Sequence, residues 1–229
     1  MINEEQLAAL LADLEPEESQ AQMAYRVLEE MIVTLQLPPG SKISEKSLHR
    51  SLGIGRTPLR EALQRLAIEG TVKILPRAGV IVSDIDLADQ FKLIEVRREL
   101  EKILAGRAAR LASPEEKQHF LDLAGAFEAA GQKDDESIFI HADREFNALT
   151  LKAARNNYAT CAIGPIAAQT RRFWFLHFKR FGNLARVSRL HMAIARAIAV
   201  GDESDARAAS DRLIDYVEEY TQQTLQSML

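Results

Sequence analysis

The stretch "GIGRTPLREALQRLAIEG", Gly53–Gly70, decides how the first third of this chain is read. Leu59, Ala62, Leu63 and Leu66 recur at spacings of three and four, the pattern of a helix with one apolar face. Thr57 suits the N-cap and Pro58 the first helical position, where a missing N–H costs nothing. Arg56 and Arg60 sit at this same start, where the helix dipole already presents positive charge. Two guanidinium groups placed there need a partner that the helix itself does not provide.

The segments on either side supply a context for them. Upstream, Ala24, Val27, Leu28, Met31, Ile32 and Leu35 form an unbroken helical stripe, which "LPPG" (Leu37–Gly40) ends. Ser44 caps a short helix, "SEKSLHRSL", with Leu48 and Leu52 facing inward and Gly53 closing it. Downstream of Gly70 the period changes to two. Val72 and Ile74, then "PRAG", then Val80 and Val82 read as a β-hairpin. Helix, helix, turn, helix, hairpin is the order of a winged helix-turn-helix, whose third helix enters the DNA major groove by its N-terminal residues. The arginines then face phosphates and base edges. Arg65 and Glu61 are expected to form a surface ion pair of little energetic weight.

The net charge of −4 opposes nucleic-acid binding, but its distribution does not. Residues 1–20 hold six acidic residues and no basic one, whereas residues 21–83 hold nine basic and five acidic. A basic segment is thus embedded in an acidic chain, and local charge governs attraction to a polyanion. The acidic segment 1–20 reads as a docked helix or a tail. "VSDIDLAD" (Val82–Asp89) is the junction to a second region of purely helical periodicity. Its breaks fall at Ser113-Pro114, Gly131, Asn156-Asn157, Gly182-Asn183 and Gly201-Asp202, giving six or seven helices. The fold class is therefore mainly α, a winged helix-turn-helix followed by an all-α bundle. The expected divisions are an acidic extension at 1–20, the DNA-binding domain at 21–83 and the helical domain at 84–229. Apolar runs are short and interrupted by charge, so no membrane span or secretory signal is expected. The lone cysteine, Cys161, excludes an internal disulfide, suits a reducing cytoplasm and is expected as a small core residue.

"PPGSKISEKSLHRSLGIGRTPLREALQRLAIEGTVKILPRAGVIV" closely resembles the DNA-binding domain of GntR-family bacterial transcription regulators. Gly55 departs from the serine usual in that pattern. The helical remainder resembles the FadR-like branch, whose ligand-sensing domain is called FCD. "EVRRELEKILAGRAARLA", "DREFNALTLKAARN" and "HMAIARAIAVGDESDA" carry that resemblance in order and spacing. For the first domain it implies DNA contacts at Lys46, Arg56, Thr57, Arg60, Arg77 and Gly79. Arginine forks onto guanine, lysine and threonine hold phosphate, and glycine lets the wing backbone approach closely.

For the second domain the resemblance implies an effector site at Arg97, Asp143, Asn147 and His191. Asp143 and Asn147 lie four apart beside the apolar stripe Phe139, Ala142, Phe146 and Leu149, either at a solvent edge or lining a cavity. Arg97 either anchors a ligand carboxylate or pairs with Glu101 at helical spacing. Arg171 and Arg172 are second anchors or a helix edge, and Asn156 reads as a helix cap. Relatives often hold a divalent metal with four ligands, of which this chain retains Asp143 and His191 only. Asn147 and Leu213 occupy the other two positions, with His177 as a potential substitute, so no cofactor is required. The implied protein is a homodimeric regulator, in outcome a repressor, whose grip on double-stranded operator DNA responds to a small carboxylate effector, with no membrane partner. The competing readings are a helical metal-dependent enzyme and a ligand-free architectural DNA-binding protein.

Overall fold

The computed structural model describes residues 19–76 and 79–227, without the side chains of 179–181. Its contacts divide the chain into two compact units. The first runs to Asp86 and takes in Ala167–Leu176, and the second holds Leu87–Ile166 and His177–Leu229. The acidic segment 1–18 and wing residue Arg77 lie outside the described residues.

The first unit opens with α1 (Gln20–Val33), which starts in a capping box between Ser19 and Gln22. After β1 (Lys42–Ile43), Ser44 caps α2 (Glu45–Leu52) by accepting from the Ser47 N–H. Gly53 ends α2 at φ 67°, a left-handed conformation that favours glycine. His49 Nδ1 then hydrogen-bonds the Ile54 carbonyl at 2.7 Å and fixes the turn into α3 (Arg56–Ile68).

The start of α3 differs from the sequence expectation. Gly55, not Thr57, is the N-cap, and Pro58 is the third helical residue. Proline is tolerated there because none of the first four N–H groups has an intrahelical acceptor. With no side chain at the cap, the α3 N-terminus has no side-chain cap hydrogen bond.

The expected hairpin forms from β2 (Val72–Leu75) and β3 (Gly79–Val82). The two residues of β1 are too few to show a period, and they add a third strand in the order β1-β3-β2. One antiparallel register sets Lys42 and Lys73 on either side of Ile81. The opposite face sends Ile43, Val80 and Val82 into a core with Leu28, Ile32, Ile54, Leu59, Leu63 and Leu66. Each such side chain contributes about 1.5–3 kcal/mol on burial.

Arg65 does not pair with Glu61. Its guanidinium lies 3.7 Å above the Tyr25 ring and its Nε donates to Glu69 at 3.0 Å. Residues four apart in either direction meet on a helix, and the Tyr25 face selects Glu69. The Tyr25 hydroxyl lies between Glu69 and Glu29, and burial followed by the Glu29 charge pushes it well above the usual phenol range.

The second unit contains α4 (Leu87–Leu111), α5 (Pro114–Lys133), α6 (Glu136–Ala154), α8 (Leu184–Val200), α9 (Glu203–Gln226) and the two ends of α7 (Asn157–Phe181). Ser113, Asn156, Asn183 and Asp202 cap α5, α7, α8 and α9 through their side chains. Two expectations fail here. Gly131 does not break α5: an added Cβ would come 3.1 Å from the Ser188 Cβ, so this glycine permits close packing of α5 on α8. Cys161 is exposed, because it falls on an outward position of α7 rather than on its apolar stripe.

Candidate DNA interface and effector site

Helix α3 turns Leu59, Ala62, Leu63 and Leu66 into the core, which leaves Arg56, Thr57, Arg60, Glu61 and Gln64 on the outer face. Lys46 is exposed in the first turn of α2. Neither Lys46 nor Arg56 has a hydrogen-bond or ion-pair partner among the described residues. Arg60 does have one. Its Nε donates to Glu45 Oε2 at 2.9 Å, so the expectation of two partnerless arginines holds only for Arg56. Gln64 shares this face, and its amide matches the donor–acceptor edge of adenine. Its signal was in the sequence: it stands one helical turn beyond Arg60. Gly79 opens β3 at φ 94° with nothing within 4 Å of an added Cβ. The requirement for glycine is therefore one of backbone conformation rather than of space.

In the helical unit the structure brings Asp143 and His191 together from α6 and α8. His191 Nε2 lies 3.2 Å from Asp143 Oδ1, and Nδ1 lies 2.9 Å from the Val187 carbonyl. A carbonyl only accepts, so Nδ1 carries a hydrogen, and one proton between Nε2 and Oδ1 satisfies both remaining atoms. The ring, 6% exposed, is boxed by Phe127, Phe139 and Phe146 at centroid distances of 5.0, 5.3 and 5.8 Å. Asn147, one turn beyond Asp143, is half-buried. Arg97 on α4 is held by Glu101 at 2.6 Å with both side chains largely buried, so a ligand carboxylate taking its Nε must displace Glu101. Sequence reasoning missed two buried hydroxyls, those of Thr150 on α6 and Ser188 on α8. Neither oxygen has a hydrogen-bond partner among the described residues.

Arg171 and Arg172 are not second anchors beside these groups. Their stretch of α7 clusters with the first unit, where Arg171 pairs with Glu30 at 3.5 Å. Gln169 donates to the Glu69 carbonyl at 3.3 Å, at the end of α3. Arg172 is 0% exposed. It donates to the Ser83 carbonyl and, at 3.0 Å, to Gln169 Oε1, while its Nε finds no acceptor among the described residues. Burial pushes this guanidinium down to about 10, with Asp84 opposing. One turn of α7 thus holds α1, the end of α3 and the strand leaving the wing. No local pattern marks this, since "RRFW" is equally consistent with a helix edge.

Residues 20–82 match the family model described as "Bacterial regulatory proteins, gntR family", and residues 92–216 match the FCD domain. The chain belongs to the GntR family, in its FCD-bearing branch. It is 33% identical over 146 residues to an HTH-type transcriptional regulator of Agrobacterium vitis, covering 62% of this chain and 85% of that one. It is 25% identical over 213 residues to the HTH-type transcriptional repressor RspR of Escherichia coli K12, covering 93% of each. The solved structure of E. coli McbR/YncC superposes with a TM-score of 0.79 at 18% identity, over 91% of this chain and 99% of that one, which shows a shared fold. This GntR-family chain is therefore a transcriptional regulator, with a DNA-binding GntR domain and a ligand-binding FCD domain, and not an enzyme. Among the described residues no helix is long and apolar enough to cross a membrane.

The divalent metal implied by the FCD branch does not fit the donors present. Asp143 and His191 already satisfy each other, and among the described residues no His, Cys, Asp or Glu joins them to make a group of three. His177 therefore does not substitute. Leu213, at the fourth position, is a buried apolar side chain on α9. Two strong donors fall short of the three or four that a zinc-like ion requires.

Proposed function

We propose that this GntR-family regulator is a homodimeric repressor acting on cytoplasmic DNA. Residues 21–83 grip one operator half-site, and residues 84–229 dimerise and bind a small organic acid. The observation that carries the reading is the outer face of α3 with α2, where, among the described residues, Lys46 and Arg56 meet no partner and the terminal amino groups of Arg60 make no contact. Exposed cations with nothing to pair with fit a polyanionic partner. Thr57 and Gly79 complete the proposed contact set, with Arg77 on the wing outside the described residues. The repressor role is supported by the name of RspR, to which the chain is similar along nearly its whole length.

For the effector, Asp143, Asn147 and Arg97 supply polar groups. The unpartnered hydroxyls of Thr150 and Ser188 stand on the same helices as Asn147 and His191, three residues away from each. A ligand that binds one arrangement of the DNA-binding domains better than the other shifts operator occupancy by that difference in affinity.

The test is binding of the full chain to DNA upstream of its own gene, read by fluorescence anisotropy across a salt series. Arg56→Ala and Arg60→Ala should each weaken specific binding by about 1–3 kcal/mol, and Lys46→Ala should weaken all DNA binding and flatten the salt slope. Binding that ignores both sequence and salt would sink the reading. A thermal-shift screen of carboxylic acids tests the effector, since a ligand specific for the folded state raises the melting temperature.

A further inference from the structure

The Glu45–Arg60 ion pair poses a problem for a surface meant to meet phosphates. A carboxylate on that face repels DNA and offsets part of the attraction of its partner arginine, so the pair lowers general affinity. It also confers no appreciable fold stability, because Arg60 is mostly exposed and such pairs contribute about 0–1 kcal/mol. The backbone of Glu45 is nonetheless fixed by its place in the fold. Glu45 is the first residue of α2, directly after the Ser44 cap, and its charge complements the helix dipole.

The geometry of the contact supplies a use for it. Glu45 Oε2 engages Arg60 at Nε alone. A guanidinium has five N–H donors in a fixed planar fork. With Nε committed, the two terminal amino groups form the free edge, and that edge matches the O6 and N7 acceptors of guanine. Arg60 would otherwise be a long exposed side chain with several rotamers, able to fall onto any nearby phosphate. Tying its Nε from a second helix removes part of that freedom, and partial neutralisation makes phosphate a poorer competitor for it.

We infer that Glu45 is a positioning residue for base readout: it aims the terminal edge of Arg60 at a guanine and exchanges general DNA affinity for sequence specificity. This rests on the reading of Arg60 as a base contact, and the experiment separates the two.

Duplexes enriched from a random pool by the full-length protein provide the specific site, and sheared calf-thymus DNA the non-specific one. The readout is the ratio of the two affinities. Glu45→Ala should raise non-specific affinity and lower the ratio about tenfold, within the range of one bidentate contact. Glu45→Gln, whose amide oxygen still accepts from Nε, should restore most of the ratio while keeping the raised non-specific affinity. In the double variant with Arg60→Ala, the change at position 45 should bring no further loss. If Glu45→Ala raises both affinities equally while Arg60→Ala collapses the ratio, the carboxylate is only a repulsive charge and the positioning role is wrong. If Glu45→Ala lowers the ratio independently of Arg60, Glu45 contacts a base itself and the role is also wrong. If Arg60→Ala leaves the ratio unchanged, the reading of Arg60 as a base contact fails instead.

Discussion

At the scale of single residues, His191 and Asp143 show how a pair chosen for ligand chemistry is held in the free protein. Three phenylalanine rings fill the space around the imidazole, and among the described residues its ring nitrogens meet one carbonyl and one carboxylate. Removing the carboxylate leaves a ring nitrogen buried without a partner, a loss of about 1–3 kcal/mol. Asp143→Ala should therefore lower unfolding free energy by that amount in urea titration, with an unchanged m-value. A variant as stable as the wild type would show that the contact carries no weight. The pairing could not be read from sequence. Asp143 and His191 are 48 positions apart on separate helices, and spacing reports only which face of its own helix a residue occupies.

At the scale of elements, caps were legible and close approaches were not. Ser44, Ser113 and Asn156 act as caps because that interaction is made within three residues of the cap itself. The Thr57 assignment failed because Arg56 and Thr57 are drawn into α3 ahead of Pro58, a position where proline loses nothing. Glu116 links two elements. It completes the α5 capping box, and it accepts both Oε contacts from Arg155 Nη2, whose backbone ends α6 at φ 47°. Burial raises the Glu116 carboxyl, but the Ser113 N–H and the Arg155 guanidinium outweigh it and leave the group below its ordinary 4.5. A folded-state value below the unfolded one means that the unfolded chain takes up the proton first on acidification. The stability this group adds is thus complete above pH 4.5 and is lost as pH falls through the lower folded value. Glu116→Gln should be less stable than wild type at neutral pH and should show a shallower loss of stability on acidification below about pH 5. Parallel pH profiles of the two proteins would contradict this assignment.

At the scale of the whole molecule, charge is distributed against its total. Residues 1–18 contain six acidic and no basic residues in a chain of net charge −4. Deleting them should raise affinity for non-specific DNA and steepen its fall with salt, both measurable by anisotropy at several ionic strengths. An unchanged salt profile would mean that this charge does not act on the DNA-binding surface. The sequence alone determined the winged helix-turn-helix, the helical second region and the residues of the outer α3 face, because periodicity and turn chemistry act over a few positions. It also carried the family, through the order and spacing of motifs. Only tertiary structure decided that Arg60 is tied to Glu45, that Arg65 chooses Glu69 over Glu61, and that Arg172 is sealed against Ser83 within the first unit. Those outcomes depend on which side chains meet across 89 residues of chain as well as across four, and local rules carry no information about partners that only folding brings within reach.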